Sequence, residues 1–290
     1  MNRRKFMGAS AALVTGGAGV IGYATLIEPH WLQLVTRDLK IANLPPGLHG
    51  AKLAHVSDIH VCSYVNERYL TESLRRLDPF APDIVAFTGD FVSWEPDRPD
   101  NVKIAQLRRV LSNLPHGRLA TVGILGNHDY GNTWRDAGIG ALITDVVSGT
   151  GMRVLRNEVA TVAGLDIVGI DDLWSGRADT QLALEERRSG AAIALCHNPD
   201  SLDDLSWEGY SGWILAGHTH GGQCKPPFLP PPVLPVKNKR YSSGEIAVDA
   251  DRALYISRGV GHLLKARFNV RPEITVFTLK PEKAPGGPLT

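Results

Sequence analysis

Five short polar groups, each following an apolar run, constrain this chain more than any other feature. They are Asp58-Ile59-His60, Gly89-Asp90, Gly126-Asn127-His128-Asp129, His197 and Gly217-His218-Thr219-His220. The runs before them, at 52–56, 84–87, 121–125, 191–195 and 213–215, have the length and apolar content of buried strands. The polar groups therefore fall at strand ends, and α/β folds collect functional side chains where strand ends share one rim. Carboxylates, imidazoles and one carboxamide form a hard-to-borderline ligand set suited to Mn, Fe or Zn. The seven candidates, Asp58, His60, Asp90, Asn127, His197, His218 and His220, exceed what one four-coordinate zinc requires. Two ions about 3.5–4 Å apart that share a carboxylate absorb the surplus; such a pair clamps a phosphoryl group and makes hydroxide available near neutral pH. A lone Asp or His after a strand is ordinarily a turn former or a satisfied polar group. Five such groups in one order reverse that expectation.

In this order the residues resemble the calcineurin-like metallophosphoesterases, whose pattern reads Asp-x-His, Gly-Asp, Gly-Asn-His-Asp/Glu, His, Gly-His-x-His. The resemblance runs from about Ala51 to Leu279. Gly-His-Thr-His-Gly-Gly-Gln at 217–223, Ile170-Asp171-Asp172, Ser257-Arg258-Gly259 and Pro272-Glu273-Ile274 resemble an exported bacterial phosphodiesterase branch. It implies an α/β fold of two mixed β-sheets packed face to face as a sandwich flanked by helices, and two divalent ions, with Mn favoured over Fe or Zn. Asp58, His60 and His220 would hold the first ion, Asn127, His197 and His218 the second, and Asp90 would bridge. His128 would be catalytic, stabilising phosphate charge or protonating the leaving oxygen while a metal-bridging hydroxide attacks phosphorus in line. The activity implied is phosphodiester hydrolysis. One alternative is hydrolysis of a lipid-linked or nucleotide-sugar diphosphate such as UDP-2,3-diacylglucosamine; another, disfavoured by the intact ligand set, is a non-catalytic binding module. Two positions depart from the pattern. Ser93 stands where the family often has an Asp that orients the catalytic His, and Asp129 stands where many members have Glu.

The opening Met1-Asn2-Arg3-Arg4-Lys5-Phe6-Met7, with an uncharged stretch from Gly8 to Ile27, resembles a twin-arginine export signal. The signal is either cleaved near Gly22-Tyr23-Ala24 or kept as an anchor. Export machinery is thus an expected partner, and the periplasm or the outer face of the membrane or wall an expected location. Gly17, Gly19 and Gly22 also spell the glycine pattern of a dinucleotide-binding turn. Pro29 would interrupt its helix, and the following run ends in Asn43 rather than an acid, so no NAD site is expected. The expected organisation is 1–30 signal or anchor, 31–50 linker, 51–280 catalytic domain and 281–290 tail. A formal net charge of +1 gives no basic field for nucleic acid. Helical spacing over 67–77, 102–111 and 134–147 alternates with strands, whereas the close runs 154–155, 160–162 and 166–170 predict antiparallel pairing and a second sheet.

Pro226 to Pro235 can be neither helix nor central strand. Directly after the last polar group, it reads as a stiff rim, with Lys237, Lys239 and Arg240 adding charge. Such a lip suits an amphiphilic phosphodiester or an anionic lipid surface; a plain rigid loop is the other reading. Of three cysteines, Cys196 reads as core, while Cys62 and Cys224 leave open a disulfide or a soft ligand. His55 reads as a strand residue beside the site, His30, His49 and His116 as surface residues, and His262 as part of a glycine-rich turn.

Overall fold

The computed structural model describes residues 17–95 and 100–282. Two six-stranded sheets face each other. The first runs β1 (Gln33–Ile41), β12 (Glu273–Pro281), β2 (Lys52–Val56), β3 (Ile84–Thr88), β4 (Ala120–Ile124), β5 (Arg153–Val154). The second runs β10 (Gly244–Ala247), β11 (Arg252–Ile256), β9 (Gly212–Ala216), β8 (Ala191–Leu195), β7 (Leu165–Gly169), β6 (Glu158–Val162). Both are mixed, with β12–β2 antiparallel in the first and β6–β7 and β10–β11 antiparallel in the second. The close spacing of the middle strands thus yields the expected antiparallel β6–β7 pair. It does not extend further: β7–β8 and β8–β9 are parallel, and β5 joins β4 in the first sheet. The helix Thr180–Glu185 between β7 and β8 supplies the crossover that a parallel pair needs.

Alternation along the strands sorts side chains between two cores. In β3, Ile84 and Ala86 face the second sheet, while Val85 and Phe87 pack towards the helices. In β8, Ala191, Ile193 and Leu195 enter the inter-sheet core, and Ala192 and Ala194 face the layer that holds Trp207 and Tyr210. Strands buried on both faces read as unbroken apolar runs, which is why these were legible. The helix Glu67–Arg75 starts where Asn66 accepts the backbone N–H of Tyr69 at 3.1 Å, and buries Leu70 and Leu74, one turn apart. The helix Ala137–Ser148 is capped by Asp136, which accepts from the N–H groups of Gly138 and Ile139, and buries Gly140, Ile143 and Val147. Gly140 is required there because any Cβ would strike the Tyr130 ring.

The segment 31–50, expected as a linker, carries β1 and is part of the first sheet. Its nine residues pair in parallel with β12, from Gln33 against Glu273 to Ile41 against Pro281, and bury Leu39 and Ile41 between the sheets. A polar edge strand whose partner lies at the far end of the chain leaves no local apolar signature. The segment ahead of it is also fastened. The carboxylate of Glu28, fully buried, accepts the N–H groups of Asn269 at 3.0 Å and Val270 at 2.6 Å, and the ring of Trp31 lies 4.0 Å from the Arg271 guanidinium. Residues 17–22 are helical and lead into a π-helical turn, Tyr23–Ile27. Among the described residues no helix is long and apolar enough to cross a membrane. The Arg3-Arg4 motif lies outside them, as does the tail from 283 onward.

Replacing Glu28 by Ala strands two N–H groups, each worth about 1–3 kcal/mol when buried unpaired. The expected result is a lower urea midpoint for the full chain with an unchanged denaturant slope; an unmoved midpoint would show that this contact carries no stability.

Candidate metal centre

Each polar group sits at the point where a strand leaves its sheet, and at three of the five the backbone turns through the left-handed region. Asp58 (φ 52°), His60 (φ 49°), Asp90 (φ 55°), His218 (φ 70°) and His220 (φ 49°) all adopt it. Asp, Asn and His tolerate this conformation better than most residues, and a cluster of such strained positions marks a functional rim. Two glycines make the close approach possible. A Cβ on Gly89, itself at φ 86°, would meet the backbone of Gly126, and one on Gly217 would meet Ser57 and Asp58. Asp129 then ties two of the loops together. Its carboxylate accepts from Gly126 N and Asp90 N at 2.9 Å, from Phe91 N at 2.9 Å and from Val92 N at 3.3 Å.

The loops bring all seven candidates together, buried: six form two trios, and Asn127 adjoins the second. Asp58, His60 and His220 form one, and Asp90, His197 and His218 the other, with the ligand atoms of each within 4.8 Å of one another. In the first, His60 Nε2 and His220 Nε2 are 2.9 Å apart, and Asp58 Oδ1 lies 3.3 Å from His220 Nε2. In the second, Asn127 Oδ1 is 3.2 Å from His197 Nε2 and 3.0 Å from His218 Nδ1. Asp90 joins them: its Oδ2 is 3.5 Å from His60 Nε2 and 3.1 Å from His197 Nε2.

The outward nitrogens decide what the inward ones offer. His197 Nδ1 donates to Thr88 O at 2.7 Å, and His218 Nε2 donates to Pro235 O at 2.9 Å, so the opposite nitrogen of each ring, in its neutral form, turns a lone pair inward. Those lone pairs meet carboxylate oxygens, the Asn127 carbonyl and each other. Acceptors facing acceptors in a buried space call for positive charge among them. The same demand shows in the titration of His197, where burial opposes the charged ring but the Asp90 carboxylate outweighs it, raising the pKa to about 10. Asp90 is correspondingly held well below the usual carboxylate range: burial works against ionisation, but His197 and His128 overcome it. The buried Asn127 amide nitrogen has no partner while its oxygen points into the cluster. Nitrogen and oxygen donors in two groups sharing one carboxylate fit two divalent cations of the Mn, Fe or Zn type.

His128 lies at the edge of the cluster. Its backbone N–H donates to Asp90 Oδ1 at 2.9 Å, and its ring sits 5.1 Å from that of His60 and 6.0 Å from Trp134. Burial pushes it down to about 4, so the ring is neutral at neutral pH. Ser93, at the position that departs from the expected pattern, serves a different imidazole: its hydroxyl is 2.7 Å from His60 Nδ1. His55 is buried beside the site with Nε2 on the Thr88 hydroxyl at 2.9 Å. His262 is buried between His30 and Tyr64, and the cysteines are free thiols outside both trios, Cys62 and Cys196 being core residues.

The chain matches the family described as Calcineurin-like phosphoesterase over residues 51–222. It belongs to that family. It is 34% identical to the metallophosphoesterase YkuE of Bacillus subtilis over 97% of this chain and 98% of that protein. It is 30% identical to the phosphodiesterase YaeI of Escherichia coli over 96% and 99% respectively. The UDP-2,3-diacylglucosamine pyrophosphatase LpxG of Chlamydia trachomatis is 25% identical over 88% of this chain and 91% of its own length. The chain is accordingly a phosphoester hydrolase with a candidate dinuclear metal site.

In this calcineurin-like site one pair of residues carried no signal that a sequence reading could weigh, and one motif that did gains a structural role. Trp134 and Trp174 stack with ring centres 4.9 Å apart, forming a wall between His128 and His218; Trp174 lies 4.5 Å from the His218 ring. Behind that wall, Tyr130 donates to Asp171, which also holds Arg156 at 3.0 Å, so the Ile170-Asp171-Asp172 motif braces the rim. Ser93→Ala removes the partner of His60. It is expected to weaken binding of one divalent ion about 10- to 100-fold in a chelator competition while leaving the fold intact. Unchanged affinity would show that packing alone orients His60.

Proposed function

We propose that this chain is a two-metal phosphodiesterase. Asp58, His60 and His220 would hold one ion, Asn127, His197 and His218 the other, and Asp90 both. The observation that carries the reading is the position of Asp90 Oδ2, 3.5 Å from His60 of the first trio and 3.1 Å from His197 of its own. Bound there, a metal pair supplies Lewis acidity towards a phosphoryl group and lowers the pKa of water. The chain's own residues do the rest. His197 and His218, each oriented by a backbone carbonyl, keep their geometry as substrate arrives. The neutral His128 ring is placed to hydrogen-bond a phosphoryl or leaving oxygen, and the Trp134–Trp174 wall gives the leaving group an apolar surface and excludes water on that side.

Diester over monoester hydrolysis is supported by how the neighbouring cations are used. Arg267 touches His220 at 3.3 Å, but its guanidinium is taken up by the carbonyls of Val270, Arg258 and Gly261. Arg156 is committed to Asp171. A dianionic monoester would call for such a charge, whereas a monoanionic diester does not. The similarity to YaeI points the same way, and the similarity to LpxG keeps a diphosphate with a bulky apolar group as the second reading. Mn is the metal favoured for this nitrogen and oxygen set. Arg3-Arg4 ahead of an uncharged run supports export in the folded, metal-loaded state, with the catalytic domain outside the cytoplasm.

The test is hydrolysis of bis-p-nitrophenyl phosphate. Activity is expected to vanish on chelation and return with Mn, at two ions per chain. Asp90→Asn is expected to lower turnover about a thousand-fold. Full activity in protein shown to be metal-free would sink the proposal. For location, Arg3→Lys together with Arg4→Lys is expected to leave the protein in the cytoplasmic fraction; unchanged fractionation would refute the twin-arginine route.

A further inference from the structure

The rim beyond His220 exposes apolar side chains that the proposed chemistry does not use. Phe228 is fully exposed, and Leu229, Val233 and Leu264 each expose more than half their surface. Phe228 is held out by a left-handed backbone, φ 65°, which an aromatic residue rarely adopts without compensation. Large apolar side chains grouped on two neighbouring loops mark a contact surface.

The loops and the N-terminal segment form one hydrogen-bonded unit. Cys224 bridges Phe268 in parallel, with Lys225 N donating to Phe268 O at 2.8 Å and Phe268 N to Gln223 O at 2.9 Å. Gln223 Oε1 accepts from Leu263 N and Leu264 N, joining the 262–266 loop to the same strip. On its other side the strip receives the N-terminal helix: Arg267 N donates to Ala24 O at 2.8 Å, Tyr23 packs edge-on against Phe268, and Glu28 holds Asn269 and Val270. That helix exposes Val20, Ile21, Leu26 and Ile27. The sequence before it is uncharged back to Phe6 and is preceded by Arg3-Arg4-Lys5.

Charge selects the occupant. No Asp or Glu occurs from Gly221 to Gly244 or from Arg258 to Pro272. The exposed Lys225 and Lys265 have no acidic partner among the described residues, and Lys265 lies 5.6 Å from the Tyr64 ring. A surface of Phe and Leu tips with lysines at its margin, fastened to an uncharged helix, has the composition of an interfacial membrane contact.

We propose that the lip 225–233 and the loop 262–266 rest on an anionic lipid bilayer, together with the exposed face of the N-terminal helix. The inference concerns binding and stands whether or not the chain hydrolyses diesters.

The test uses the full chain with anionic vesicles of phosphatidylglycerol and phosphatidylcholine. Phe228→Trp and Leu264→Trp each add emission that is read as the difference from the parent chain. Brominated lipids are expected to quench both additions, more strongly with bromines near the headgroup than deep in the chains, because such side chains enter about 5–10 Å. Circular dichroism confirms that both variants are folded. Vesicle-bound protein in which neither addition is quenched would overturn the proposal, since the N-terminal segment alone would then account for binding. Failure to float with vesicles would also overturn it. So would a dimer in which both positions are already shielded without lipid, which would assign the surface to a second copy of the chain.

Discussion

Buried acceptors that face one another govern the architecture of this protein. Two carboxylates, a carboxamide oxygen and inward-turned imidazole nitrogens share a space closed to water, and burial alone would drive such groups to neutralise or to separate. They do neither. Thr88 O and Pro235 O fix the outer nitrogens of His197 and His218, so the inner ones cannot rotate away. The cluster therefore stores a requirement for positive charge that protons meet only in part, as His197 illustrates. Two divalent cations would meet it. Metal binding and the stability of the rim are then linked, because cations that bind the folded arrangement and not the unfolded chain shift the folding equilibrium.

Holding that arrangement falls to backbone groups more than to side-chain packing. Asp129 engages four N–H groups on the loops after β3 and β4, and it fixes the turn from which Asp90 reaches both trios. Its carboxyl is pushed well above its usual range, first by burial and then by Asp90 nearby, while the N–H groups of Gly126 and Val92 pull the other way. A shorter acid at the position where relatives often carry Glu is consistent with so close an engagement of the backbone. The other loops are tied to that turn in series: Asp58 N and His60 N donate to Gly89 O and Asp90 O, and His218 N donates to the Asp58 carboxylate.

What could be read in the sequence follows from where the information lies. The strands Lys52–Val56 and Ala191–Leu195 were legible to the residue because both of their faces are buried, and the ligand set was legible because its chemistry is carried by residue type at strand ends. β1 was not, since Gln33 to Lys40 mixes polar and apolar residues without a period, lies on an edge and gains its meaning only from β12. The pairing of β5 with β4 was hidden for a similar reason: two residues carry no period. Ser93 looked like a loss because its role was judged against His128; in space it faces His60. Trp134 and Trp174 lie forty positions apart in loops, and only the fold makes them neighbours.

The proline-rich lip connects the inside of the site to its surroundings. Pro235 O accepts from His218 Nε2, and Gly222 approaches Pro231 so closely that no Cβ would fit between them. Prolines at 230–232 and 235 restrict the backbone leading up to that carbonyl, so the lip cannot move freely without disturbing a candidate ligand. A contact made by Phe228 or Leu229 with an external surface is thus mechanically joined to the orientation of His218 through a few stiff residues. The N-terminal segment is joined to the same strip through Glu28 and Ala24, on the opposite side. The proposed surface contact and the orientation of His218 thus share the proline-rich lip, and the N-terminal segment joins that lip through the strip that pairs 223–225 with Phe268.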